Sequence, residues 1–465
     1  MGFLPRWRMA AGSVVAPDER LPAAPTLALG LQHVVAMFGS TVLAPLLMGF
    51  DPNTAILFSG IGTLIFFLVV GGRVPSYLGS SFAFIAVVIA ATGYGGHGPN
   101  PHIGVALGGI FACGLVYGVI GLVVALAGHR WIEAIMPPVV TGTIVGAIGL
   151  NLAPIAIKGI SGSGLATAMG LVTVVAVAMV AVHGRGSIRR LPILLGGLAA
   201  YGTYVLLANG LGFGPPIDFA PVAAAAWFGA PRLSAPEFDG HAIALVAPVA
   251  LVLVAENLGH LKAVGAMTGR NLDGYIGRAF LGDAVATMVA ALGGGTGVTT
   301  YAENIGVMAV TRIYSTLVFV VAAVIAILLG FSPKFGAVIL TIPGPVLGGL
   351  AVVVFGLIGA TAGRIWVEHR VDFSDARNLI TAGVGLTVGA GDLALDLGGF
   401  SLGGIGTATF GAIILYQLLR RRGEPARDEA SATIAAPAGA GGNAPPNARA
   451  GTRGSASSGL FPDRS

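Results

Sequence analysis

Charged side chains are scarce in this sequence. Lysine, arginine, aspartate and glutamate make up only 10% of the 465 residues, whereas a soluble globular chain carries about 25% to cover its surface. The deficit excludes a water-soluble fold, because the apolar surfaces of such a chain need lipid as their solvent. Cysteine is nearly absent, and the single Cys113 excludes an intramolecular disulfide.

Several motifs of energy-coupled and catalytic proteins are also missing. The sequence has no G-x-x-x-x-G-K-[ST] stretch, which argues against ATP-driven transport by this chain alone. It has neither a Cys/His cluster for a metal nor a recognisable Ser/His/Asp motif, and no cofactor is expected. The net charge is only +5 and the basic residues lie between apolar segments, so they indicate membrane topology rather than nucleic-acid binding.

Apolar residues and glycine are present in excess. Hydrophobic residues make up 55% of the chain, which also holds 74 glycines and 27 prolines, and the mean hydropathy is +0.87. Membrane helices use small residues for close packing and proline or glycine for breaks. The composition therefore predicts an all-α polytopic membrane protein, of the transporter or channel class.

Apolar segments recur along the chain and predict fourteen membrane spans. Seven lie at about 25–48, 53–71, 76–94, 103–127, 132–156, 165–183 and 191–210. After a connector at 211–240, seven more lie at about 241–262, 276–293, 299–314, 315–331, 340–360, 378–391 and 400–419. Several are shorter than the roughly 20 residues that a crossing helix needs, so some spans are expected to be broken or re-entrant.

Basic residues alternate with these spans as the positive-inside rule requires. With both termini in the cytoplasm, the outer loops keep only Lys158, Arg232 and Lys334. No compact apolar region with a small-residue cleavage site follows the first arginines, which predicts that the first span is retained. The stretch 423–465 is rich in Ala, Gly, Pro and Ser and predicts a disordered cytoplasmic tail.

Two halves of seven spans imply opposite membrane orientations, which is the arrangement of an inverted repeat. Weak internal sequence similarities support the repeat: residues 80–83 resemble 300–302, and residues 138–142 resemble 345–349. Interrupted hydrophobic segments in corresponding places point to a substrate site near the bilayer midplane. At 80–84 and 293–303 we expect short extended stretches that pair with each other and lead into half-helices with free N–H groups.

Ionisable residues inside the predicted spans are candidate functional residues, since each costs at least about 2.5 kcal/mol to insert. Glu256 and His260 lie four residues apart in an apolar run, share one helix face and suggest a proton-handling pair. Glu303 follows the break at Tyr301, near a half-helix N-terminus whose dipole would stabilise a carboxylate.

Four further residues complete the candidate set. Asp283 either hydrogen-bonds the site from behind or caps a helix, and His33 is either functional or a satisfied core histidine. Phe82 and Tyr301, at the two breaks, are either walls that stack on a substrate or packing aromatics.

The stretch 299–312, TTYAENIGVMAVTR, resembles the E-N-x-G-x4-T-R signature of the nucleobase/ascorbate transporter family, also called nucleobase:cation symporter 2. The stretches 77–85 and 255–262 are similar to the third and eighth spans of bacterial uracil permeases, as is 31–39 to their first. The similarity extends from about 25 to 420. Within the family, the segments 269–273 and 293–298 look closest to the Rut-pathway branch of pyrimidine permeases.

This resemblance implies fourteen spans in a 7+7 inverted repeat, with spans 3 and 10 broken by short antiparallel strands. It implies a core domain of spans 1–4 and 8–11, and a gate domain of spans 5–7 and 12–14 that forms a homodimer. The corresponding boundaries are 1–24 for the cytoplasmic N-terminus, 25–127 and 241–331 for the core, 131–210 and 335–420 for the gate, 211–240 for the connector and 423–465 for the tail.

The resemblance also implies function. Members import uracil, or alternatively thymine or xanthine, together with protons across the inner membrane by sliding the core against the gate. Glu256 and Glu303 would bind the nucleobase with assistance from His260, and the N–H groups of Phe82 and Ala302 would meet its carbonyls. The chemistry of a flat ring agrees with this, since Phe82 and Tyr301 would cover its faces. Proton coupling would involve Glu256, His260, Asp283 and His33.

Two departures bear on these expectations. Some uracil permeases have glycine where this chain has Ala302, which affects pocket size and base preference, and asparagine also occurs at the position of Asp283. Three other functions stay open. The first is a purine permease, which often has glutamine in place of Glu303. The second is an anion transporter of the related 7+7 fold, which needs a net positive site. The third is a membrane enzyme that would use Glu256 and His260 as acid and base.

Overall fold

The computed structural model describes residues 4–96, 98–185, 188, 191–397 and 400–420. The predicted tail at 423–465 lies outside the described residues. Within the described ranges the chain is almost wholly helical, with a few short strands. The α-helices are α1 Ala23–Met48, α2 Pro52–Val69, α3 Phe84–Thr92, α4 Ile103–Ala127, α5 Arg130–Ile135, α6 Pro138–Ile160, α7 Gly164–His183, α8 Pro192–Val205, α9 Ala220–Ala224, α10 Gly240–Val246, α11 Val249–Thr268, α12 Ile276–Gly293, α13 Ala302–Thr311, α14 Thr316–Gly330, α15 Pro333–Leu340, α16 Gly344–Glu368, α17 Ala376–Ala390 and α18 Gly404–Leu418.

Short strands form three two-stranded sheets in the described residues. The strands are β1 Arg8–Met9, β2 Glu19–Arg20, β3 Leu78–Ser80, β4 Val298–Thr300, β5 Leu395–Leu397 and β6 Phe400–Leu402. β1 pairs with β2 in parallel, and β3 with β4 and β5 with β6 are antiparallel. Of these three described sheets, β3–β4 is the one whose strands come from the two halves of the chain.

Helices long and apolar enough to cross a membrane number nine in the described part of the chain, and the pair α14–α15, bent by 81°, makes up to ten. In this count α10 and α11 form one candidate span. α18 is apolar but shorter than the nine helices and is not among them. The prediction of a mostly helical, multi-pass membrane protein is confirmed. The fourteen spans and the inverted repeat stay predictions.

Helix boundaries follow local chemistry. Asp51 caps α2 by accepting the Thr54 N–H at 3.0 Å, and Pro52 occupies the first turn, where its missing N–H costs nothing. α1 ends at Gly49, whose φ of +73° is the left-handed conformation that glycine adopts without strain. At such points the ends of the predicted spans differ from those of the observed helices. The eighth span was expected to end at 262 but continues as α11 to Thr268, because only Gly269 supplies the left-handed cap.

The helices pack most extensively within two sets. α2 packs on α12 and α14, and α4 packs on α12, whereas α6 packs on α16, α17 and α18. Glycine permits the closest of these approaches: a Cβ on Gly149 of α6 would lie 2.5 Å from the Gly359 nitrogen of α16. The two sets correspond in sequence to the predicted core and gate, whose division stays a prediction.

Candidate functional site

The β3–β4 pair lies at the centre of the candidate site. Leu78, Gly79 and Ser80 are opposite Thr300, Thr299 and Val298 in antiparallel register. The predicted pairing of two extended stretches is therefore present, but β3 lies two residues earlier than the expected start of its break. α3 and α13 begin within a few residues of the strands, and the first N–H groups of a helix have no helical partner.

Glu303 lies in the first turn of α13 and is half-buried. Its carboxylate accepts a hydrogen bond from the Ser40 hydroxyl of α1. Ser40 was not predicted as a site residue, although the run Gly39–Thr41 is unusually small and polar for the middle of an apolar span. A charge-assisted bond of this kind orients the carboxylate.

Glu256 approaches the same place from α11 and is also half-buried. The Ser81 hydroxyl, just after β3, hydrogen-bonds its carboxylate, and Glu256 lies within electrostatic range of Glu303. The structure thus brings the two predicted carboxylates together, each held by a serine from a different part of the chain. The contact of Ser81 with Glu256 was not predicted, although Ser81 lies within the predicted break.

His260 lies one turn beyond Glu256 on α11, and its Nδ1 lies 2.8 Å from the Thr300 hydroxyl of β4. The spacing of four residues does place both side chains on one helix, as the sequence predicts. His260 therefore links α11 to the strand pair. The ring nitrogen and the hydroxyl can exchange donor and acceptor roles with the tautomer of the histidine.

Asp283 is fully buried on α12 and accepts a hydrogen bond from the Asn257 amide of α11. The same amide donates to the Tyr117 hydroxyl of α4 at 2.9 Å. α12 also holds β4, since the Thr287 hydroxyl donates to the Val298 carbonyl at 3.0 Å. The structure therefore places Asp283 in a buried network beside β4 and within electrostatic range of Glu256.

His33 is buried on α1 and contacts the residue that follows Glu303. The Asn304 amide lies 3.0 Å from His33 Nδ1 and donates to the His33 carbonyl at 3.1 Å. The His33 ring packs on Phe319, with 4.5 Å between centroids. This geometry anchors α13 against α1 and α14.

Tyr301 and Phe82 occupy different environments. Tyr301 is 4% exposed and donates its hydroxyl to the Ser80 carbonyl at 2.8 Å, so its ring braces the strand pair. Phe82 is half-buried and meets Phe355 of α16 edge-on, with 6.3 Å between centroids. Ala302, the residue after Tyr301, is exposed. Phe82 thus has the more open ring for contact with a ligand.

The described residues contain no group of three or more His, Cys, Asp and Glu side chains arranged to hold a metal ion. The site instead combines carboxylates, hydroxyls and helix N-termini on parts of the chain more than 200 residues apart. An arrangement of this kind in a multi-pass protein is typical of the substrate sites of membrane transporters.

Comparison with solved structures supports the fold. The chain aligns with the transmembrane domain of the cyanobacterial bicarbonate transporter BicA at a TM-score of 0.58 and 15% identity, covering 84% of this chain and 96% of that one. It aligns with the murine Solute Carrier 26 family member A9 anion transporter at 0.63 and 12%, covering 86% and 69%. At these identities the likeness is one of fold alone.

Sequence comparison supplies the family. The model Xan_ur_permease, described as a permease family, matches residues 24–398. A relative named as a pyrimidine permease, RutG of Escherichia coli K12, is 64% identical over 425 residues, or 90% of this chain and 96% of the relative. The uracil permease of Bacillus caldolyticus is 41% identical over 418 residues, or 86% and 94%. The chain belongs to this family, the nucleobase/ascorbate transporters, and is a permease rather than an enzyme.

Proposed function

We propose that this chain is a symporter that imports a pyrimidine nucleobase, most specifically uracil, together with protons across the cytoplasmic membrane. The observation that carries the proposal is the convergence of Glu256 and Glu303 beside the N-terminus of α13. The relatives named as uracil and pyrimidine permeases support the same substrate class.

The chemistry of the site matches that of the substrate. Uracil is a flat ring that presents N–H donors beside carbonyl acceptors. Carboxylates accept from the N–H groups, and backbone N–H groups at Phe82 and Ala302 donate to the carbonyls. The Phe82 ring covers one face of the base. Ser40 and Ser81 hold the carboxylates in the orientation that accepts.

Proton coupling is proposed to use the ionisable residues around this site. Protonation of Glu256 removes its negative charge, and protonation of His260 adds a positive charge that offsets a carboxylate. Either step reduces the net negative charge of the site and the cost of moving it, loaded, through the membrane. Asp283 lies within electrostatic range of Glu256, and His33 acts by anchoring the helix that carries Glu303.

Transport is proposed to be an elevator-type movement of the core, 25–127 and 241–331, against the gate, 131–210 and 335–420. The gate also forms the contact of a homodimer, and both termini lie in the cytoplasm. The edge-on contact of Phe82 with Phe355 is one place where the two domains meet at the site.

Uptake of radiolabelled uracil into proteoliposomes tests the proposal. We expect an inward proton gradient to stimulate uptake, and excess xanthine to leave it intact. Protein-free liposomes and liposomes without a gradient are the controls. Absence of uracil uptake by folded protein would contradict the proposal, and competition by xanthine would assign the site to purines.

An ion pair between the proposed core and gate offers a test of the movement. Lys262 Nζ lies 3.4 Å from Glu133 of α5 and 2.8 Å from Asp273, which lies in the same proposed domain as Lys262. If the core slides, the pair with Glu133 exists in only one end state. Glu133→Gln is expected to change the uptake rate by up to about fivefold, since an exposed pair contributes up to about 1 kcal/mol.

Asp273→Asn is the matched control, because it removes a partner of Lys262 without crossing the domain boundary. We expect it to leave the uptake rate unchanged. The effect of Glu133→Gln should also shrink at high salt, which screens exposed pairs. Equal effects of the two variants would argue against a pair that breaks during transport.

A further inference from the structure

A segment before the first helix lies against the helices that build the site. Residues 5–20, termed here the N-terminal strap, contain β1 and β2, which pair in parallel. The Glu19 N–H donates to the Ala16 carbonyl at 3.0 Å and closes the turn before β2. None of the site residues described above lies in the strap.

The strap is hydrogen-bonded to the turn between α13 and α14. The Val15 N–H donates to the Arg312 carbonyl at 3.0 Å, and the Tyr314 N–H donates to the Val15 carbonyl at 2.8 Å. The Thr316 N–H donates to the Pro17 carbonyl at 3.1 Å. Val15 is only 1% exposed, so these bonds are formed out of water and are costly to leave unmade.

Side chains extend the same contact. Trp7 Nε1 donates to the Thr316 hydroxyl at 2.9 Å, and the Ser315 hydroxyl donates to the Glu19 carbonyl. The Trp7 ring stacks on Phe67 near the end of α2, with 6.0 Å between centroids and 19° between planes. The strap thus ties the α13–α14 turn to α2.

An ion pair joins the strap to a third element. Asp18 pairs with Arg270, which lies between α11 and α12. The Arg270 guanidinium hydrogen-bonds Asp18 and holds the pKa of that carboxyl below its usual value of 3.8, with Arg73 as a further favourable charge. α11 carries Glu256, so the strap contacts both helices that supply the carboxylates or the loops next to them.

The position of α13 depends on its two ends. The helix has only ten residues, and a helix of this length is not stable by itself. Its N-terminus follows β4, and its C-terminus ends at Arg312, which has the left-handed φ of 56°. The carbonyl of this same Arg312 accepts the Val15 N–H. The strap is therefore hydrogen-bonded to the end of α13 that lies opposite Glu303.

We propose that the N-terminal strap is a positioning element of the substrate site. By fixing the end of α13, it sets the place of Glu303 and of the free N–H groups in the first turn. The proposal rests on the proposed function, since it assumes that the first turn of α13 binds the nucleobase. Its residues act through α13 and do not touch the substrate.

Adjacent valines provide a matched test. Val15 is 1% exposed and Val14 is 48% exposed. In reconstituted full-length protein, Val15→Asp would place a carboxylate in a buried position and so displace the strap, breaking its backbone bonds to Arg312 and Tyr314. The KM for uracil is then expected to rise by about fivefold to tenfold, the effect of losing one or two hydrogen bonds. Val14→Asp and the conservative Val15→Ile are expected to keep the wild-type KM. Equal KM values for Val15→Asp and Val14→Asp would overturn the proposal.

A second variant covers the case in which Val15→Asp does not fold. Trp7→Phe keeps a ring over Phe67 but removes the donor to Thr316, so it should raise the KM for uracil by about threefold to fivefold without lowering the maximal rate. A fall in maximal rate with unchanged KM would indicate loss of folded protein and not of positioning, and would overturn the proposal.

The Asp18–Arg270 pair predicts how the strap responds to pH. Because the pKa of Asp18 is lowered in the folded state, its stabilisation is present above the usual value of 3.8 and is lost as pH falls through the lowered pKa. Asp18→Asn should therefore raise the KM equally at about pH 5.5 and about pH 7.5. An effect that appears at only one of these pH values would contradict the assigned pairing.

The measurements on wild-type and variant protein distinguish a failure of the strap proposal from a failure of the proposed function. If wild-type protein takes up no uracil, the proposed function fails and the strap variants have no KM to compare. If wild-type protein transports uracil and every strap variant matches it, only the strap proposal fails.

Discussion

Glu303→Gln is expected to lower gradient-driven uracil uptake by about a hundredfold, equivalent to about 2.7 kcal/mol of lost stabilisation. Glutamine keeps the shape of the side chain but replaces one acceptor oxygen with an N–H donor. That donor would face an N–H of uracil, unless it turns to Ser40, whose hydroxyl would then have to accept and give up the bond that it donates to the carboxylate. A buried donor left without an acceptor costs more than the hydrogen bond that it replaces.

Initial uptake rates in proteoliposomes at matched protein density measure this effect. Glu237→Gln is the control, since Glu237 is exposed in the connector and the same change of charge occurs away from the site. We expect wild-type uptake from that variant. Unchanged uracil uptake by Glu303→Gln, with unchanged pH dependence, would remove Glu303 from the mechanism.

Gly79→Ala is expected to disrupt the strand pair at the centre of the site. A Cβ at Gly79 would lie 2.5 Å from Tyr301 Cζ and 2.6 Å from the Thr41 hydroxyl. Tyr301 cannot withdraw freely, because its hydroxyl donates to the Ser80 carbonyl at 2.8 Å. Overpacking of this kind costs about 1–3 kcal/mol, so uptake should fall at least about fivefold and the melting temperature should also fall.

The control for this prediction is a glycine with free space around it. A Cβ at Gly383 of α17 meets no atom within 4 Å, so Gly383→Ala should leave uptake unchanged and keep or raise the melting temperature. Thermal unfolding of the purified protein and uptake by the same preparation measure both quantities. A Gly79→Ala protein with wild-type stability and uptake would contradict the prediction, because it would show that the strand pair accommodates a Cβ beside Tyr301.

Several properties could be predicted from the sequence because they depend on composition or short-range spacing. The low charge and long apolar runs predict a multi-pass helical membrane protein, which the structure and the family confirm. Glu256 and His260 are four residues apart and do share α11, because the helical repeat brings such residues to one face. The extended stretches at the two breaks were also foreseeable, to within a few residues.

Tertiary structure alone decided which groups meet. Ser40 reaches Glu303 across 263 positions of sequence, and β3 pairs with β4 across more than 200. In a three-residue strand a shift of one position reverses the face of every side chain, so register decided that Tyr301 braces the strands. The strap was not predicted at all, because its contacts to α13 are mostly backbone hydrogen bonds, which leave no side-chain pattern in a sequence.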